Sequence, residues 1–452
     1  MSSSQLILPS SPLSLCHDRF GLTDTDTDDP IPFWLILCKI LTPTPESTSQ
    51  LLDALDTISV TLRGNSQPHA FLRRFLDTDW DTESFFQRTW PACSTIALDM
   101  PLLFPSGYLE PLTAERPTQT YSARQIACLV IHQFLCTLPK LPWTSDAEEN
   151  SQDLHIWYDD EQPHPVAVRV YLTALFTFFE RVASGELSED DDGITFTLHC
   201  APDLPISSDP LHPLRIMELD KPAVNSSLIG FPSGACVISA NRHIGFGRTA
   251  SQEEMHVGST PQSLPAKLIT PPLRDGQVLV VRGCALVVEM PGYGRDAGLT
   301  CIVPESQWRQ RTMLFMDALE LDGYDTTVVT PDLLPGNVDR ELTKAYTAFS
   351  SGRPPYVNVV TGHWGCRAFG GNREIKSLIQ WCAASMAGVV LDFVCELRGD
   401  PFADKFRRFS LDAQSRRWSV SDILSVLRSM DPVDAVGRSA FEFVREVLDK
   451  DS

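Results

Sequence analysis

The chain has 452 residues, 43% of them hydrophobic, and a formal net charge of −21. That length and composition imply a globular protein of two domains. The charge opposes non-specific binding to DNA or RNA through a broad basic face, so an anionic ligand must be held by local backbone N–H groups and helix N-termini.

Residues 1–30 are rich in Ser, Thr and Asp and read as a frayed, disordered N-terminus. No Lys or Arg precedes Arg19, so the segment lacks the basic region of a secretory signal. The apolar run in "PFWLILCKILTP" is too short to span a bilayer. A nuclear or cytoplasmic location follows. From 31 to about 145 the pattern is mostly helical, broken by Pro91, Pro101, Pro105 and Pro111. Its clearest helix is "SARQIACLVIHQFLC", with Ser122 as cap and Ile126, Leu129, Val130 and Phe134 as the apolar stripe. "DAEENSQD" (146–153) reads as a polar linker, and "VAVRVYLTALFTFFERVASG" as a second strong helix ending near Gly185. The acidic run "ELSEDDDG" reads as a solvated loop.

After Gly193 the texture changes. "ITFTLHC", "GACVISA", "GQVLVVRG", "CALVVEM", "TTVVT", "YVNVVTG" and "GVVLDFVCEL" read as short strands, with helices expected at 306–319, 337–349, 372–387 and 420–430. Alternating strands and helices imply an α/β domain with a largely buried mixed sheet. The expected division is a helical accessory domain over 31–190 and an α/β domain over 191–452. The twelve cysteines include no CxxC pair and read as reduced core residues.

Two glycine loops carry the chemistry. In "NRHIGFGRTASQEE" (241–254), Gly245-Phe-Gly-Arg-Thr-Ala250 fits G-x-G-x-x-A. A dinucleotide fingerprint would turn directly from its strand and place an acidic residue about 20 positions on; neither holds here. Ser251-Gln-Glu-Glu254 also forms a capping box, in which Glu254 reaches back to the Ser251 amide. Glu253-x-x-His256 resembles half of a di-iron motif without a second copy, so no metal is expected. "TGHWGCRAFGG" (361–371) likewise follows a strand and precedes a helix capped by Asn372. Two strand–loop–helix units with converging helix N-termini suit a diphosphate, and Tyr293 in "MPGYGRD" offers a stacking face beside them.

Together these residues resemble the poly(ADP-ribose) glycohydrolase family. The resemblance runs co-linearly from about 120 to 395 through "QIACLVIHQFLCTLP", "ANRHIGFG" with "QEE", "PGYG", "DRELTKAYTAF" and "TGHWGCRAFGGNREIKSLIQWCAAS". It implies a macrodomain-like mixed sheet flanked by helices, behind a mostly helical accessory domain. It also implies hydrolysis of ribose–ribose O-glycosidic bonds in poly(ADP-ribose), releasing ADP-ribose without metal or cofactor. The implied partners are poly(ADP-ribose) and poly(ADP-ribosyl)ated proteins, with no direct DNA binding, no membrane and a monomeric state.

By the resemblance, Gln252, Glu253 and Glu254 fall on the family's Gln-Glu-Glu and Asn241 on its ribose-contacting Asn. Gly245, Phe246 and Gly247 fall on its diphosphate loop, Tyr293 on its adenosine-side tyrosine, and Phe369 with Gly370 on its second loop. Adjacent helical residues point about 100° apart, so the two glutamates do not flank one bond as a conventional pair. Glu254 is expected to be the acid, then the base for water, and Glu253 a ribose-hydroxyl ligand. Phe246, His363 and Arg367 depart from the family pattern, and the spacer 248–251 is short. A second reading, a catalytically impaired ADP-ribose-binding macrodomain protein, therefore stands beside the enzyme.

Overall fold

The structure, a computed structural model, describes residues 5–23, 29–144, 152–185, 193–204, 210–304, 307, 310–323, 330–433 and 435–450. The N-terminal part is built from helices α1 (Phe33–Leu41), α2 (Thr48–Arg63), α3 (Ala70–Asp79), α4 (Trp90–Leu98), α5 (Ala123–Phe134) and α6 (Pro165–Ser184). Ser122 and Gln125 close a full capping box on α5. Pro165 opens α6, and Gly185 ends it in the left-handed conformation at φ 76°. Pro91 and Pro101 start helices rather than merely interrupting them. α6 is buried nearly all round, and its Phe176 meets Phe75, Phe85 and Phe134 in an aromatic cluster.

An eight-stranded sheet follows: β1 (Thr118–Tyr121), β2 (Ile194–Cys200), β3 (Leu214–Glu218), β4 (Ala235–Ala240), β5 (Gln277–Ala285), β6 (Gln310–Asp317), β7 (Asn358–Thr361) and β8 (Val390–Cys395). Its order is β1-β2-β5-β6-β4-β7-β8-β3. β6, β4, β7, β8 and β3 run parallel, while β1, β2 and β5 form an antiparallel flank. Strand alternation sends Cys236, Ile238, Leu279, Val281, Met313 and Phe315 into the core shared with the N-terminal helices. Ala235, Val237, Val278, Val280, Leu314 and Met316 face the opposite core. That second layer contains α8 (Asn337–Phe349), α9 (Arg373–Ala387), α10 (Pro401–Arg416), α11 (Val420–Ser429) and α12 (Ala440–Lys450). The expected mixed sheet flanked by helices is therefore present.

Several sequence expectations need correction. The helix expected over 306–319 is strand β6; its run "RTMLFMD" is buried on both faces, where helical and strand periods cannot be told apart. "GQVLVVRG" and "CALVVEM" do not form two separate strands as divided. β5 continues to Ala285 through a bulge at Gly283 (φ 94°), and a short strand follows at Val288–Pro291. The N-terminus is not frayed throughout: Leu6–Ile7 pairs with Tyr108–Leu109, and Leu6 and Leu8 are buried. β1, from within the expected accessory region, forms an edge of the sheet. The segments 146–151, 186–192 and 326–329 lie outside the described residues. No helix among the described residues is long and apolar enough to cross a membrane.

Candidate functional site

Parallel neighbours β4 and β7 end at the same edge of the sheet, so the loops that follow them meet there. A cavity of about 280 Å³ opens at this edge, beyond the carboxyl ends of β4, β6, β7 and β8. Its walls include Ser239, Gln252, Tyr293, Thr361, Phe369 and Glu396.

The first loop leads into α7 (Gln252–Gly258), capped by Ser251. Gln252 lines the cavity, and its amide is tied to β4, accepting from Ser239 N and donating to Val237 O. Glu253 is buried under the loop, with Oε2 accepting from the Asn241 N–H at 3.0 Å and Oε1 from the Gly245 N–H at 2.8 Å. Burial raises its pKa to about 8, against the pull of the two amides and of Lys267. Glu254 uses Oε2 for three bonds, from Thr249 N, Thr249 Oγ1 and Ser251 N. Its Oε1 lies against Gly247, where a β-carbon would approach to 1.8 Å. The capping box read from the sequence is complete, and it leaves one carboxylate oxygen outside the cap.

Phe246 follows from the same geometry. Gly245 has φ +153° and Gly247 touches Glu254, so each of these positions needs glycine. Between them, the Phe246 ring turns into the core against Trp157, at 5.6 Å and 65°, and lines neither the first cavity nor its neighbour. The Phe246 ring anchors the loop in the core and leaves its backbone as part of the glycine loop. Trp157 also donates Nε1–H to Gly247 O at 2.8 Å, so the N-terminal helical part braces the loop from behind.

Asn241 turns its Oδ1 back to the His243 N–H and faces a second cavity, with His243 and Ile244. Neither Glu253 nor Glu254 is among the residues lining the first cavity.

The second loop reaches the first cavity through Thr361–Phe369. Its helix does not: the first amides of α9 are taken by the Asn372 side chain, so the expected convergence of two helix N-termini is not formed. Phe369 lines the cavity, whereas Gly370 (φ +70°) shapes the turn and does not line it. Beneath the turn, buried Lys376 pairs with Glu341 and lies 3.9 Å from Asp332. His363 packs between Phe393 and Phe402.

Tyr293 lines the cavity, but one face of its ring is covered by the Arg367 guanidinium, centred 4.5 Å away. Arg367 pairs with Glu396, which also bonds the Tyr293 hydroxyl. Burial raises the Glu396 pKa, with Arg367 opposing. The sequence reading missed Glu396 because its partners lie far away in the chain. His256 was read only as half a metal motif; its Nδ1 accepts from buried Arg311 at 2.7 Å, and the residue is part of the cavity wall.

A family model described as poly(ADP-ribose) glycohydrolase, Macro domain fold, matches residues 222–399, and one described as the helical domain of the same enzyme matches 78–197. The chain belongs to the poly(ADP-ribose) glycohydrolase family. Its sheet is thus the macrodomain of the family, preceded by the family's helical domain.

Poly(ADP-ribose) glycohydrolase 1 of Caenorhabditis elegans is 28% identical over 223 residues, covering 45% of this chain and 28% of that protein. Poly(ADP-ribose) glycohydrolase 2 of the same organism is 24% identical over 210 residues, covering 43% of each. The chain's matches thus span less than half the length of these curated relatives. A crystal structure of the Deinococcus radiodurans glycohydrolase in complex with ADP-ribose aligns with a TM-score of 0.31 and 12% identity, over 45% of this chain and 85% of that one.

Proposed function

We propose that this chain is a poly(ADP-ribose) glycohydrolase that hydrolyses ribose–ribose O-glycosidic bonds and releases ADP-ribose. The observation that carries the reading is the division of labour between two adjacent carboxylates. Glu253 has both oxygens engaged by loop amides, whereas Glu254 keeps Oε1 outside its cap and against the glycine loop.

In this reading Glu254 donates a proton to the leaving ribose oxygen as the glycosidic C–O bond breaks. The substrate's own diphosphate, along the Gly245–Gly247 backbone, stabilises the oxocarbenium-like centre. Glu254 then takes a proton from the water that attacks the anomeric carbon, which restores the acid. Glu253 orders the loop through the Asn241 and Gly245 amides, and so positions Asn241 for the ribose hydroxyls. Tyr293 and Phe369 hold the adenosine side. Residues 31–190 act as the accessory part and 191–452 as the catalytic part, and modified proteins are the partners. Release of ADP-ribose from labelled polymer by the purified chain tests the reading.

A pH profile follows from Glu253. Its proton is held below about pH 8 and lost above it. The ionised form adds negative charge beside an anionic substrate, so kcat/KM for polymer is expected to fall above about pH 8. Glu253→Gln removes that alkaline limb; a limb unchanged in the variant assigns it to another group.

Arg367 supplies a separate expectation. Arg367→Gly uncovers the Tyr293 face, and calorimetry is expected to show ADP-ribose binding about 5-fold tighter, within the ~0.5–2 kcal/mol of a cation–π contact. Weaker binding shows instead that the guanidinium itself holds the ligand.

A further inference from the structure

The helical part of the chain reaches the candidate acid through one tyrosine. Tyr171 stands in α6 and is wholly buried. Its ring lies on α7 at Gly258, where a β-carbon would come within 2.2 Å of it. Glycine weakens a helix, and at this position it is what lets the ring approach the backbone. Glu254 and Gly258 stand one helical turn apart, so they share a face of α7. The same ring meets that of Trp157, centre to centre at 5.4 Å. Trp157 bonds Gly247 O, and Gly247 lies against Glu254 Oε1. Tyr171, Trp157, Gly247 and Glu254 therefore form one continuous cluster.

The Tyr171 hydroxyl is buried and has no hydrogen-bond partner among the described residues. A buried hydroxyl without a partner is destabilising, and phenylalanine would fill the same space without that loss. Burial holds the phenol well above its ordinary pKa and the nearby Glu254 charge raises it further, so the group stays a neutral donor. The three bonds on the Glu254 carboxylate all go to Oε2, which leaves Oε1 as the acceptor that the cap does not engage.

We infer that Tyr171 is a positioning residue for Glu254: its hydroxyl donates to Oε1 once the carboxylate has given up its proton, and so holds that oxygen in place for the attacking water. One lone pair of Oε1 accepts from Tyr171, and the other receives the proton of the water. The hydroxyl thus gains its partner only in the ionised half of the cycle. The inference rests on the proposed glycohydrolase reading, and it gives the helical domain a part in the chemistry.

Tyr171→Phe in the full chain keeps the ring on Gly258 and removes only the hydroxyl. With poly(ADP-ribose) as substrate, kcat is expected to fall about tenfold, the size of one hydrogen bond to a charged group, while KM stays within about twofold. The urea midpoint should stay level or rise, because an unpartnered buried hydroxyl is gone. Added to Glu254→Gln, the same change should leave the residual release of ADP-ribose unaltered, since no carboxylate remains for the hydroxyl to hold. An unchanged kcat in Tyr171→Phe, a kcat loss that comes with a lowered urea midpoint, or an equal further loss in the Glu254→Gln background each overturns the positioning role alone. A wild type that releases no ADP-ribose from the polymer removes the glycohydrolase reading, and the positioning role with it.

Discussion

Glu254→Gln is expected to lower polymer hydrolysis by roughly 10²–10⁴-fold, the usual contribution of general acid–base catalysis, with ADP-ribose affinity nearly unchanged. The substitution separates two roles that share one side chain. The amide oxygen of Gln can still accept from Thr249 N, Thr249 Oγ1 and Ser251 N, so the cap on α7 survives. The amide nitrogen then occupies the place of Oε1 against Gly247, and it cannot pass a proton to a leaving oxygen. Glu254→Ala, by contrast, removes the capping side chain as well and is expected to cost about 1 kcal/mol of stability. Comparing urea denaturation and turnover for the two variants distinguishes chemistry from structure. Full activity in the Gln variant refutes the assignment of the acid.

Lys376→Met is expected to lower stability by about 3–5 kcal/mol, because it leaves two buried carboxylates without their shared cation. Lys376, Glu341 and Asp332 are each 1–2% exposed at the side chain. Glu341 retains Arg340 and the Leu319 N–H, and Asp332 retains the Asn372 N–H. The loss therefore falls most heavily on Asp332, whose pKa burial already raises. A buried carboxylate deprived of its cation binds a proton more readily, so the deficit should shrink as pH falls through the carboxylate range. Urea unfolding at neutral and acidic pH checks both magnitude and sign. The same variant should weaken ADP-ribose binding, since a β-carbon at Gly371 would meet the Lys376 stem at 2.7 Å and the Gly371 N–H closes the turn onto Gly365 O. An unchanged unfolding midpoint at neutral pH contradicts the role given to this cluster.

What could be read from the sequence was local. Ser122 before an apolar stripe and Ser251 three residues before Glu254 describe caps that form within one turn, and both caps are present. The glycine loops were legible because each stands between a strand and a helix. The direction of Phe246 was not, since it depends on Trp157, which meets the loop from the helical part of the chain. Tyr293 was singled out, but Arg367 and Glu396, which cover and bond it, come from other strand ends. β6 was misread as a helix because a run buried on both faces carries no alternation. Tertiary neighbours decided each of these cases.

The most direct measurement of the central claim is product analysis of purified chain incubated with poly(ADP-ribose), paired with calorimetry of ADP-ribose on the same preparation. The expected result is ADP-ribose released by the wild type, with binding kept and release lost in Glu254→Gln. Binding of ADP-ribose by a wild type that releases none contradicts the claim and leaves a reader of the polymer instead of an enzyme that cuts it.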